Sequence, residues 1–405
     1  MNFSANSPGN PDIVIDMSVD DISGDTSTAH PSQARLLSLD IFRGATIAAM
    51  ILVNDPGDWG SIYWPLRHSE WNGWTPTDLV FPFFLFVVGV SLVFSFSARR
   101  NRGKSRAAVV AHILRRGIVL FALGVFINGF PNHYNPATLR IEGVLQRIAL
   151  CYVIASILYL WCGPKVRWAV VFVLLAGYWI VMRYVPVPGF GVPTHGFPFL
   201  DPNRNLTAWL DRKLLMGHLY NHTNDPEGVL STIPAIASTL LGIFAGEWLR
   251  SNRTHTQKIL RMVSYGTACF VAGEIWGLWF PINKNLWTSS FVLLIGGLAM
   301  VGLALCYWTF DVRKLRIRLA DFFLIFGVNA IAAYVLSELL AALITTVSFH
   351  SAKYGVITLQ GWIYHTLFAP LASPVNASLF YAGVYVLLCW IPMWILYRKR
   401  VLLKI

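Results

Sequence analysis

His68 stands between Arg67 and the run Ser69–Glu70–Trp71–Asn72–Gly73, with Asn54 upstream of it and Asp78 downstream. An imidazole whose tautomer a carboxylate can fix, and whose cation that carboxylate can stabilise, serves as a general base or a nucleophile. An amide beside it can donate to an oxyanion as negative charge develops. These residue types suit proton abstraction or acyl transfer. A lone loop histidine is more often a plain surface residue, so the reading rests on the whole set.

The elements that would hold this set are two apolar runs. One opens with Asp40 and Arg43 and closes at Asn54; the other opens at Asp78 and continues to Ala98. Each is long enough to cross a bilayer, which makes the aromatic and polar stretch between them a connector at a membrane face. Charge at the ends of membrane helices reaches the interface readily, so no one of these residues carries the argument singly.

Composition supports a membrane setting. The chain has 405 residues, of which 55% are hydrophobic and only 13% charged, with a mean hydropathy of +0.54. A soluble domain carries about 25% charged residues, and the surplus apolar surface here has to face lipid. The net charge of +12 could suggest nucleic acid, but the basic residues gather in short segments between apolar runs, where they set topology. Nucleic-acid binding is therefore excluded. Cys151, Cys162, Cys269, Cys306 and Cys389 all fall in or beside apolar segments. Their spacing matches neither a disulfide framework nor a metal site.

Residues 1–34 are polar, contain five Asp and no Lys or Arg, and lack the basic and apolar regions of a signal peptide. They are expected to form a disordered cytoplasmic tail. Residues 35–405 then form a single membrane domain of about ten spans, near 36–54, 77–98, 110–129, 142–162, 166–184, 229–249, 259–280, 288–310, 318–346 and 377–397. The expected fold class is an all-α polytopic helix bundle. Every even-numbered connector is basic, as in Arg99–Arg100–x–Arg102–x–Lys104–x–Arg106 and Arg313–Lys314–x–Arg316. The positive-inside rule then leaves both termini cytoplasmic. The odd connectors, including that of His68 and the Pro-rich 185–228 loop, are external.

Further polar features fall on the same external side. They are Arg140 and Glu142 before the fourth span, Asp225–Pro226–Glu227–Gly228 before the sixth, and Asn283–Lys284–Asn285 before the eighth. Gln146, Arg147, Glu247, Glu274, Asn329 and Glu338 lie in or at apolar runs. A charge at the centre of a membrane helix costs about 2.5–3.5 kcal/mol, so such residues persist where they are paired, face water or work. For any one of them an interfacial anchor or a helix–helix hydrogen bond is an equal explanation. Their convergence on one face favours a functional cavity. No P-loop, Gly-rich nucleotide loop or His-Glu-x-x-His motif is present in the sequence.

At these residues the chain resembles a known family. Ser38–Leu39–Asp40–x–Phe42–Arg43–Gly44, Val53–Asn54, His68–x–x–Trp71–Asn72–Gly73 and Asp78–Leu79–Val80–Phe81–Pro82 resemble the heparan-α-glucosaminide N-acetyltransferases. So do Gly143–Val144–Leu145–Gln146–Arg147, Asp225–Pro226–Glu227–Gly228 and Asn283–Lys284–Asn285–Leu286–Trp287. The resemblance runs in order through most of the chain from Arg35. It implies a multi-pass enzyme that takes acetyl from acetyl-CoA and passes it to the amino group of a terminal glucosamine. In that pattern His68 corresponds to the active-site histidine, Asp78 to its partner carboxylate, and Asn54 to the amide beside it. The long N-terminal lumenal segment and signal of the lysosomal enzymes have no counterpart here. That departure implies a bacterial inner-membrane member whose acceptor is a cell-wall or imported amino sugar.

The expected activity is thus an acetyl-CoA-dependent acylation of an amino sugar, without a metal, in the lipid bilayer. His68 is the base, or forms a transient acetyl-imidazole. Arg43, Arg140, Arg147 and Lys284 are candidates for the CoA phosphates, with Lys284 equally suited to an interfacial anchor. Trp71, Asn72, Glu142, Asp225, Glu227, Asn283 and Asn285 are candidates for binding the sugar. The rival reading is a transporter of N-acetylglucosamine or related fragments, with the same residues lining its site. A homodimer is the candidate assembly.

Overall fold

The computed structural model describes residues 36–403, apart from 102, 104, 132, 196 and 316. The tail expected over residues 1–34 lies outside them. Helix α1 (Leu37–Asn54) leads through the His68 connector to α2 (Val80–Asn101), α3 (Arg106–Gly129), α4 (Val144–Trp161) and α5 (Pro164–Tyr184). The 185–228 loop then carries the short α6 (Leu206–Leu214). After it come α7 (Thr232–Arg250), α8 (His255–Gly277) and α9 (Ser289–Cys306). The chain finishes with α10 (Arg318–Val328), α11 (Ala330–Thr346), a hairpin of β1 (Ser348–Ser351) and β2 (Gly355–Thr358), α12 (Leu359–Ile363) and α13 (Pro374–Arg398).

Eight of these helices are long and apolar enough to cross a membrane, or nine if α10 and α11 are one span. The chain is a polytopic all-α membrane protein. Two of the ten expected runs differ in character. Helix α8 has the length but carries Lys258, Arg261 and Glu274. The 318–346 run is broken by 81° between α10 and α11. Asn329 fills that break at 1% exposure, its amide bonded to Val401 O and Leu403 N. The Asn329 side chain thereby ties the break to the C-terminal segment and pairs two of that segment's backbone groups.

Helix α7 is the hub, buried along most of its length and packed on α2, α4, α5 and α9. Its contact with α2 depends on glycine. A Cβ on Gly89 would lie 2.0 Å from Thr239 O, and one on Gly242 would lie 2.0 Å from Phe86 O. Small residues let membrane helices approach closely where no hydrophobic effect drives them together. Helices α3 and α5 are outer helices, with Ile118, Phe172 and Val173 exposed as apolar side chains that lipid would cover.

At the end of the bundle where α1 finishes, the connectors knit together. Gly57 N and Asp58 N donate to Ser378 O and Ser378 Oγ in α13, and Gly73 N donates to Ile282 O. The 185–228 loop packs over this end through Leu200, which joins Tyr178, Met182, Phe280 and Leu286 in a small apolar cluster. The His68 connector is thereby clamped between α13, the 281–288 turn and the loop.

Candidate active site

The local sequence Thr75–Pro76–Thr77–Asp78 begins a turn of 3₁₀ helix over Pro76–Leu79, just before α2. Asp78 reaches back to accept the backbone N–H of Thr75 at 3.0 Å and of Ser69 at 3.1 Å, both on Oδ2. An acidic residue three positions after a threonine cap does this routinely. Oδ1 is left for His68, whose Nδ1 lies 2.7 Å away. An ionised carboxylate only accepts, so Nδ1 carries the hydrogen and Nε2 offers a lone pair. The Asp78 side chain is 1% exposed and that of His68 39% exposed. The carboxylate is fixed in the wall while the imidazole faces outward.

The Asn283–Lys284–Asn285–Leu286–Trp287 turn meets this pair. Asn283 is fully buried. Its Nδ2 donates to Trp71 O at 2.9 Å and Asn72 Oδ1 at 3.2 Å, while its Oδ1 accepts from Leu286 N at 2.9 Å. Those bonds use the whole amide, so Asn283 holds the connector in register and has no donor left for a ligand. Trp71 in turn donates from Nε1 to Leu200 O at 2.8 Å. Trp287 closes the turn with φ +50°, almost wholly buried, its Nε1 bonded to Ser238 Oγ. Lys284 Nζ comes to rest 3.1 Å from His68 Nδ1, 3.3 Å from Nε2 and 3.6 Å from Asp78 Oδ1. Burial pushes the Lys284 ammonium below its usual pKa, although Asp78 and Glu227 pull the other way.

A second polar cluster adjoins the first, since Glu227 lies within electrostatic reach of Lys284. Arg140 grips Asp225 with Nε at 2.8 Å and Nη2 at 2.5 Å, and Nη2 also meets Glu227 Oε2 at 2.6 Å. Burial works against the Arg140 charge, but the two carboxylates outweigh it and raise its pKa. Asp225 is held below its usual range because Arg140 outweighs the burial that would neutralise it. Asn128 Nδ2 bonds Arg140 O and Glu142 O and so fixes the loop that presents Arg140. Arg147 is fully buried over the Trp287 ring, with Nη2 on Gly228 O and Ser231 Oγ. Gly228 is required here, because a Cβ would lie 2.1 Å from Asp211 Oδ2. Among the described residues Glu142 Oε2, Arg147 Nε and Nη1, and Asp211 Oδ2 are buried without a hydrogen-bond partner. Such groups are rare in native proteins.

Asp211, which the sequence does not single out because α6 sits in a loop rich in turn residues, gives a pH expectation. Burial pushes its carboxyl up to about 7, against one hydrogen bond from Val229 N. A folded pKa above the ordinary value of 3.8 gives stability that is complete at low pH and is lost as pH rises toward 7. Asp211→Asn, which keeps the Val229 acceptor, should flatten the decline in thermal midpoint between about pH 4 and about pH 7. A midpoint profile in detergent with the wild-type slope would count against this.

Among the expected residues, the structure joins His68, Asp78 and Lys284 directly, and Trp71, Asn72 and Asn283 just behind them. Asn285 lies half-buried in the same turn as Lys284. Asn54 ends α1 with its side chain exposed. Of the four expected phosphate-binding residues, Arg140, Arg147 and Lys284 lie in the two adjoining clusters and Arg43 lies apart from them. Arg140 and Lys284 are engaged as described, and Arg147 is enclosed. Arg43 lies toward the opposite end of α1, bonded to Asp40 and to Gly327 O, about 16 Å along the axis from Asn54 at 1.5 Å per residue. Among the described residues no group of three or more His, Cys, Asp or Glu side chains could hold a metal ion.

A helical bundle with a buried carboxylate, an outward histidine and a lysine at one membrane face is a polytopic membrane protein with the parts of an acid–base site. The chain belongs to the heparan-alpha-glucosaminide N-acetyltransferase family, whose catalytic model matches residues 35–275. It is 30% identical over 357 residues to the human heparan-alpha-glucosaminide N-acetyltransferase, covering 74% of this chain and 52% of that protein. It is 31% identical over 369 residues to the mouse protein of the same name, covering 77% and 55%. The chain spans about half the length of these relatives.

Proposed function

We propose that this chain is a membrane-bound acetyltransferase that moves acetyl from acetyl-CoA to the amino group of a glucosamine-type sugar. The observation that carries the reading is the His68–Asp78 pair, with Nδ1 held at 2.7 Å and the ring open to one membrane face. An amine attacking a thioester must shed a proton, and Nε2 is the base that receives it. Asp78 stabilises the resulting imidazolium. The acceptor sugar lies against Trp71, Asn72 and Asn285, with Glu142 and the Asp225–Glu227 carboxylates nearby to attract its ammonium form. Arg140 binds the latter two. Asn54, exposed at the end of α1, is the candidate amide for the oxyanion. Arg43, on the other side of the bundle, remains the candidate for CoA.

The Lys/Arg asymmetry supports cytoplasmic termini and an external His68. Purified protein given labelled acetyl-CoA and glucosamine should release N-acetylglucosamine. Cysteine labels at 253–258 should react only from the cytoplasmic side, and labels near Ser61 or Asn203 only from outside. Vesicles that take up N-acetylglucosamine while the protein transfers no acetyl would replace this reading with transport. Labelling of both sets from one side would sink this topology, and with it the external placement of His68.

A further inference from the structure

A lysine recruited for phosphate binding has no reason to rest against an imidazole. Lys284 Nζ is nearly equidistant from the two ring nitrogens of His68, at 3.1 and 3.3 Å, and faces the same Asp78 oxygen that holds the ring. Its position is enforced. The buried Asn283 ties one side of its turn to Trp71 and Asn72, and the buried Trp287 anchors the other to Ser238. The side chain itself is only 19% exposed.

We propose that Lys284 is a catalytic residue, the acid that protonates the departing thiolate and then recovers its proton from the His68 imidazolium. This rests on the acetyltransferase reading above. As the sugar amine attacks the thioester carbonyl, the C–N bond forms, the carbonyl π pair moves to oxygen, and His68 Nε2 takes an amine proton. On collapse the oxygen pair re-forms C=O, the C–S bond breaks and its electron pair leaves on sulfur. Lys284 gives that sulfur a proton and becomes a neutral amine beside the imidazolium. The imidazolium proton then passes to that amine, which restores both residues. One amide and one thiol result, and no other reactant is consumed.

The charges favour this order. Asp78 is shared by two potential cations, with Glu227 in electrostatic reach of Lys284 as well, so a proton arriving on His68 sets two positive charges about 3 Å apart. Like charges at that distance in a partly buried site favour release of one proton. Burial has already lowered the affinity of Lys284 for its own. The short separation makes the return transfer direct.

The test compares two acyl donors on the full chain in detergent, with glucosamine as acceptor: acetyl-CoA and the acetyl thioester of nitrothiobenzoate, whose thiol leaves without protonation. Lys284→Met is expected to slow transfer from acetyl-CoA by about 10²–10³-fold, the scale of a lost general acid, while leaving the activated donor within about tenfold. Lys284→Arg keeps the charge but does not release its proton, so it should match Lys284→Met, and it serves as the readout if the methionine variant fails to fold. Equal losses with both donors would make Lys284 a structural support and overturn the proposal. So would wild-type rates in either folded variant. A wild-type protein inactive with both donors would instead overturn the acetyltransferase reading, and this inference with it.

Discussion

Replacing His68 with alanine should reduce acetyl transfer to background while leaving the protein folded. Loss of a positioned base alone costs about 10²–10⁴-fold, and loss of a nucleophile costs the whole covalent route. The fold should tolerate the change, because the ring is 39% exposed. Asp78 would also keep its two backbone N–H donors and the nearby Lys284 ammonium. The comparison needs initial rates with labelled acetyl-CoA, plus binding of the donor to confirm an intact site. A folded variant that still acetylates glucosamine would end the assignment. The wild type decides the route. Label trapped on His68 from acetyl-CoA alone marks an acetyl-imidazole, whereas label that appears only in product after the amine is added marks a base. Direct attack needs fewer steps and is the expected result.

Asp78→Asn should cost about 10²–10⁴-fold in turnover through the hydrogen atoms it rearranges. Two backbone N–H groups point at Oδ2, so the asparagine must turn its carbonyl oxygen toward them. Its NH₂ then faces His68 Nδ1, which has to accept. The imidazole is driven into the tautomer with hydrogen on Nε2, the atom required as the base, and the neutral amide no longer stabilises the imidazolium. The variant should fold, because both backbone donors keep an acceptor. Near-wild-type turnover in folded Asp78→Asn would reduce Asp78 to a helix cap.

The two variants together separate chemistry from architecture. Both residues lie in a connector that Asn283, Ser378 and Leu200 clamp from three sides. A change in those clamps would move the whole connector, whereas His68 and Asp78 act through one ring.

The sequence by itself determined the membrane class, because apolar runs near twenty residues have no other stable solution than buried or lipid-covered helices. It also determined the His68–Asp78 pairing in outline. Thr75–Pro76–x–Asp78 is a local capping signal, and local hydrogen bonds depend on neighbours in the chain. Three features needed tertiary structure, for one physical reason. They depend on contacts between segments far apart in the chain. Hydropathy could not reveal the break at Asn329, since residues 318–346 read as one long, mostly apolar run and the partners of the Asn329 amide, Val401 O and Leu403 N, lie 72 and 74 residues further on. Residue type could not show that Arg140 is neutralised by Asp225 and Glu227, because a guanidinium binds phosphate and carboxylate with the same geometry. Nor could spacing show that Lys284, 216 residues from His68, rests against its ring. Only the packing of the 281–288 turn on the connector decides that, by closing a gap that no local rule spans.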